Sequence, residues 1–245
     1  MRRFAKLTWT EMKLFGREPG AVFFMWLLPL GILLLAGLSW GNWAAPDQLG
    51  PVDVLVPGLA AYVIANAGLF TVVPLLAGYR QAGYFRRLHV TPLPPRQVLA
   101  ADLLVILALT ALSLGVIFAV ARAAFGLKMF GSPASVATGL LFCTVSFCAF
   151  GFVLGGLVGT VRTAQIVTMA LFIPMLMFSG MIFPRAMMRL DLQYYAEFVP
   201  LTHVVDLLRG LWAGDAWAAH AKEASFLGAM TVVAAVVSKV TFRWE

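Results

Sequence analysis

Charge is scarce in this chain. Only 12% of its 245 residues are Asp, Glu, Lys or Arg, about half the share of an ordinary soluble domain. Hydrophobic residues make up 61%, and the mean hydropathy is +0.89. So much apolar surface needs lipid, which makes this a multi-spanning membrane protein. Cysteine is nearly absent too. Cys143 and Cys148 share one apolar run. Five residues apart on a helix, they point about 140° away from each other and cannot bridge. Both read as packing residues.

Catalytic and nucleotide-binding signatures are also missing. No G-x-x-x-x-G-K-[ST] loop occurs, and none of the five lysines follows Gly or precedes Ser or Thr. The chain does not bind ATP in that way. It has no H-E-x-x-H and no C-x-x-C. His89, His203 and His220 fall at unrelated positions and read as interfacial residues. No span carries a Ser–His or paired-carboxylate set. A net charge of +7 could suggest nucleic acid. The basic residues, however, sit in short loops and at the ends, as membrane topology requires.

What is present is a series of apolar runs. Spans are expected at about 20–40, 55–78, 98–121, 135–158, 165–183 and 224–240, each long enough to cross a bilayer. The last carries Lys239 near its end, where it can snorkel to the interface. With the N-terminus in the cytoplasm, twelve basic residues lie inside and six outside. Most acids, among them Asp47, Asp53, Asp206 and Asp215, lie outside. The positive-inside rule therefore predicts both termini in the cytoplasm. The first apolar run follows a basic segment, lacks a small-residue cleavage site and is long enough to span, so it is not read as a cleaved signal. Few lysines against many arginines, with abundant Ala and Gly, hint weakly at a GC-rich bacterial genome; a bacterial cytoplasmic membrane is the expected location.

Residues 1–19 carry Arg2, Arg3, Lys6, Lys13 and Arg17 within an arc of about 100°, with Phe4, Leu7, Leu14 and Phe15 beside it. This predicts an amphipathic helix lying in the cytoplasmic interface. Glu11 falls on its apolar side. It either reaches the headgroups or faces a cytoplasmic partner. Residues 184–222 are too polar to span. "FVPLTHVVDLLRGLW" within them is amphipathic, with Pro200 placed to open a helix and Asp206 and Arg209 at pairing distance. Two short helices at the outer leaflet are expected there.

Between spans two and three stands "YRQAGYFRRLHVTPLPPRQ" (79–97). Residues 80–90 can form one short helix, with Gly83 near its start and Tyr84 and Leu88 on one face. "TPLPP" stops it. Such a helix under a bundle is either a lever for a soluble partner or a basic anchor that touches lipid. Asp102, four residues into span three, is the main charge within the spans. One rim acid is weak support for a proton path, and pairing with Arg96 or Arg162 is expected.

"GYFRRLHVTPLPPRQVLAADLL" resembles the cytoplasmic loop of ABC-2-type export permeases, the daunorubicin-resistance-like branch in particular. Gly83, Arg87, Leu88, Val90, Thr91 and Pro92 match that pattern. "VPLTHVVDLLRGLW" is similar to the family's second mark through Pro200, Leu201, Thr202 and Arg209, and "FSGMIFP" fits with Gly180 and Pro184. Gln81 stands where a Glu is common, Arg86 where another acid often sits, and Asp102 where a base is frequent. A docking partner should then be more acidic at the contact.

The resemblance implies one all-α transmembrane domain over 1–245. It comprises six spans, an N-terminal interfacial helix, a coupling helix and short outer-leaflet helices, as in type V ABC exporters. It implies a dimer with a second copy or a sister permease. Two cytoplasmic P-loop ATPase subunits would supply ATP and Mg, so this chain binds no cofactor and is no enzyme itself. Coupling would fall to Arg80, Gly83, Tyr84, Phe85, Arg86, Arg87 and Leu88, with Glu11 beside them. Spans two and five would line the path, through Asn66, Phe70, Met169, Met177 and Phe178. Methionine and aromatic surfaces suit amphipathic or hydrophobic cargo such as a drug, a lipid-like compound or a natural product. Multidrug efflux and antibiotic resistance follow as expectations. Gly151, Gly155 and Gly159 in span four read as close packing within one subunit.

Three other readings stand beside this one. A self-sufficient carrier or channel needs an ion path, which the spans lack apart from Asp102. A lipid-modifying enzyme needs a clustered nucleophile, base or metal set, which the sequence does not offer. A scaffold or sensor without net transport is compatible with the sequence.

Overall fold

A computed structural model describes residues 23–43, 48–84, 95–181 and 188–241. The expected helix over 1–19, including Glu11, and the loop residues Phe85, Arg86, Arg87 and Leu88 lie outside the described residues. Among those described there is helix and no strand. Six helices are long and apolar enough to cross a membrane: α1 (Phe23–Trp40), α2 (Pro51–Gln81), α3 (Pro95–Phe125), α4 (Pro133–Leu157), α5 (Val161–Phe178) and α8 (Ala221–Thr241). A 3₁₀ turn, Trp217–His220, leads into α8. Two shorter helices, α6 (Leu190–Ala196) and α7 (Pro200–Ala213), connect α5 to α8.

All six expected spans are present, with shifted ends. α5 starts at Val161, four residues early, because Thr160 caps it by accepting from the Thr163 N–H at 3.2 Å. It stops at Phe178 rather than 183, because Gly180 turns the chain with φ +77, a conformation glycine adopts without strain. α7 opens at Pro200 as predicted.

α2 is the axis of the bundle. In its most apolar stretch 78% of residues are buried, against 22% for α5 and 11% for α8. It packs on α1, α3, α4, α5 and α7, while α8 lies against α4 and α7. Most lateral surface of α5 and α8 is left for lipid or another chain.

Two prolines shape the spans. Pro29 has no N–H to give the Met25 carbonyl four residues back. The chain opens into a π turn there, Phe23–Leu27, and Ser113 Oγ of α3 donates to Met25 O at 2.9 Å. Pro74 in α2 likewise follows a π turn, Ala67–Val72. It cannot donate to the Leu69 carbonyl five residues back, and Thr168 Oγ1 of α5 donates there at 3.3 Å. A hydroxyl on a neighbouring span thus satisfies a carbonyl within each π turn, in a setting where water cannot.

Candidate functional site

At the end of the bundle that carries the basic loop, α2 does not stop at 78 as expected. It continues through Gln81, and Gly83 breaks it with φ +60. Arg80 therefore belongs to span two rather than to a loop helix over 80–90, and Gly83 marks the end of that span. Tyr84 lies beyond the break, and its ring stacks on Tyr79 with centroids 4.7 Å apart.

Three consecutive residues at this end reach three different neighbours. Tyr79 Oη donates to Asp102 Oδ2 of α3 at 2.9 Å. Arg80 Nη1 donates to the Gly156 carbonyl in the last turn of α4. Gln81 Oε1 accepts from the Val161 N–H, the first residue of α5, at 3.0 Å. Successive helix positions are about 100° apart, so three in a row at the end of a central helix face three packing partners. Asp102 is buried. The sequence reading gave it an arginine partner and did not anticipate the tyrosine.

Halfway along α2 lies Asn66, buried at 3% exposure. The Tyr62 phenol, one turn earlier, interacts with its side chain. The amide Nδ2 has no hydrogen-bond partner among the described residues. From this polar spot an aromatic series leads outward. Tyr62 meets Phe172 of α5 edge-on at 5.6 Å, Phe172 meets Phe70 at 5.1 Å, and Phe70 stacks on Phe24 of α1 at 6.3 Å. Phe24 is exposed.

The other residues expected on a path lie elsewhere. Met169 and Met177 project from the free face of α5 and are exposed. Met169 lines an open groove of about 770 Å³ with Arg162, Gln165, Ile166, Ile173 and Pro174. Phe178 is half-buried at the end of α5, where its carbonyl accepts from Thr202 Oγ1 at 3.4 Å. Within one subunit the structure therefore joins Asn66 to Phe70 through aromatic packing and sets Met169 and Met177 on a separate surface.

The opposite end of the bundle holds a polar knot that sequence reasoning missed. Asp53, fully buried, accepts from the Gly50 N–H at 2.8 Å, from Asn42 Nδ2 at 2.9 Å and from the Lys128 N–H at 2.8 Å. Asn42 also donates to the Phe125 carbonyl at 3.1 Å. The indole of Trp212 donates to the Lys128 carbonyl at 3.0 Å. One carboxylate thus ties the α1–α2 turn to the α3–α4 turn, and Trp212 adds α7. The available signal was a lone acid one turn into an apolar helix, which the sequence reading counted only as an outside charge.

α7 is anchored by its own polar residues. His203 is buried, stacks on Phe226 of α8 at 4.0 Å, and has Nε2 2.8 Å from the Glu197 carbonyl. His220 lies between Asp215 at 3.1 Å and Glu223 at 3.7 Å. These two histidines are packing and pairing residues, not plain interfacial ones. His89 lies outside the described residues. Burial lowers the proton affinity of the Arg209 guanidinium, and nearby Asp206 opposes that effect.

Known families add one finding. The profile of the ABC-2 type transporter family matches residues 2–212. No match to a curated protein was found. The matched region spans α1 to α7 and includes the hydrogen-bonded end of α2, Asn66 and the Asp53 knot. The chain belongs to the ABC-2 type transporter family, as a multi-pass membrane permease subunit of an ABC transporter.

Proposed function

We propose that this chain is the membrane half of an ATP-driven exporter in a bacterial cytoplasmic membrane, with both termini in the cytoplasm. The observation that carries the reading is a mismatch. A chain of an ATP-powered family has no phosphate-binding loop anywhere in its sequence. In this reading the energy comes from partner ATPase subunits. Two P-loop ATPases, holding ATP and Mg, would dock beneath two permease chains. Hydrolysis there supplies the work, and this chain converts it into outward movement of cargo.

The basic loop is the docking element in this reading. Arg80, Gly83 and Tyr84 form its root, Phe85, Arg86, Arg87 and Leu88 complete it in sequence, and Glu11 of the N-terminal segment is assigned to the same contact. Asn66, Phe70, Met169, Met177 and Phe178 meet the cargo. A buried amide among aromatics suits an amphipathic molecule: the rings offer apolar contact and the amide one hydrogen bond. Methionines on a free helix face add an adaptable surface.

Reversing charge at Arg86 and Arg87 together tests the reading. Membrane insertion should be unchanged while ATP hydrolysis in the assembled complex no longer drives transport. Transport at the unsubstituted rate would remove the loop from the coupling role.

A further inference from the structure

We infer that Tyr79, Arg80 and Gln81 are positioning residues that pass a displacement at Tyr84 to three spans at once, with Gln81 carrying it to span five. The inference rests on the exporter reading above. Its physical basis is the geometry at the end of α2. Tyr84 is held to Tyr79 by ring stacking across the Gly83 turn, so the two rings move together. Tyr79 holds the buried Asp102 of α3. Arg80 takes one of the last carbonyls of α4, and Gln81 takes the first N–H of α5. A helix leaves these terminal groups without partners of its own, so a side chain that fills one grips the whole helix at its tip. The cation on the carbonyl end and the oxygen on the N–H end each match the helix dipole they meet.

Gln81 is the informative position. It is exposed, so its side chain contributes little core packing, yet it bonds to a residue 80 positions away. α5 is held lightly along its length, and a grip on its tip can shift it. A carboxylate at 81 would keep the accepting oxygen and add a charge favourable at a helix N-terminus. Leucine would remove the grip at similar size.

Hydrogen exchange read by mass spectrometry tests this on the complex extracted with its native lipid and ATPase subunits, with and without trapping by ATP, Mg and vanadate. In the unsubstituted chain, trapping should change exchange at the start of α3, the end of α4 and the start of α5. Gln81→Leu should lose the response at α5 alone, and Gln81→Glu should restore it. Tyr79→Phe should lose the response at α3 alone. If all three responses survive in Gln81→Leu, the residue is only a cap and the inference is overturned, even if exchange at Val161 is faster throughout. If ATP is hydrolysed but none of the three sites responds in the unsubstituted chain, the inference falls and the exporter reading stands. If no ATP-hydrolysing subunit accompanies the chain, both fall.

Discussion

Gly151 of α4 lies directly against Gly68 of α2. A Cβ at 151 would overlap the Gly68 carbonyl oxygen, and one turn on, a Cβ at 155 would stand 2.9 Å from Leu76. The two helices cross here backbone to backbone, where α2 is widened by its π turn. Neither backbone can yield as a flexible side chain would. Gly151→Leu should therefore cost about 3 kcal/mol or more, read as a large fall in the unfolding midpoint in detergent. Gly159, the third of the series, faces open space. Gly159→Ala should change stability by less than about 0.5 kcal/mol.

The Asp53 knot makes a second prediction. Asp53→Ala would leave the Gly50 and Lys128 N–H groups without their acceptor and the Asn42 amide with only the Phe125 carbonyl. Each buried donor left unmade costs about 1–3 kcal/mol. The variant should fail to accumulate in the membrane, or unfold well below the unsubstituted chain. Asp53→Asn, which keeps one accepting oxygen, should fall between the two.

Asn66 should behave in the opposite way. Its Nδ2 makes no hydrogen bond of good geometry among the described residues, so removing the amide forfeits only its weak interaction with the Tyr62 phenol. Asn66→Leu should change stability by no more than about 1 kcal/mol. In the exporter reading it should still reduce transport of a cargo that carries a hydrogen-bonding group. Equal transport by both forms in proteoliposomes would take Asn66 off the path.

Cys143 and Cys148 are both free and buried within α4. Neither should react with a maleimide in the folded protein, and both should react after denaturation. Fast labelling of either thiol in the native chain would contradict the burial of α4 within the bundle.

The spans were legible in sequence because hydropathy reports contact with lipid, a property of each segment alone. Pro200 and the α7 helix were legible for a similar reason: the start signal is local. Gly151, Gly155 and Gly159 were readable as a close-packing series, although only the first two meet α2. What was not legible depends on contacts far apart in sequence. Nothing near Asp53 announces that Lys128 will present its N–H 75 positions later. Nor does anything near Gln81 announce Val161. The π turns follow from prolines visible at 29 and 74, yet their cost becomes acceptable only where Ser113 and Thr168 arrive from other spans. Asn66 was visible in sequence as a lone amide within an apolar span, but its separation from Met169 and Met177 depends on which way α5 turns.

In the exporter reading this permease works through partner ATPases. Extraction of the tagged chain from its native membrane in lipid-retaining polymer discs, followed by native mass spectrometry, tests it most directly. Two permease chains with two nucleotide-binding chains that carry a phosphate loop are expected. A chain alone, or an assembly of copies of itself that moves solute with no nucleotide-binding subunit, would contradict it.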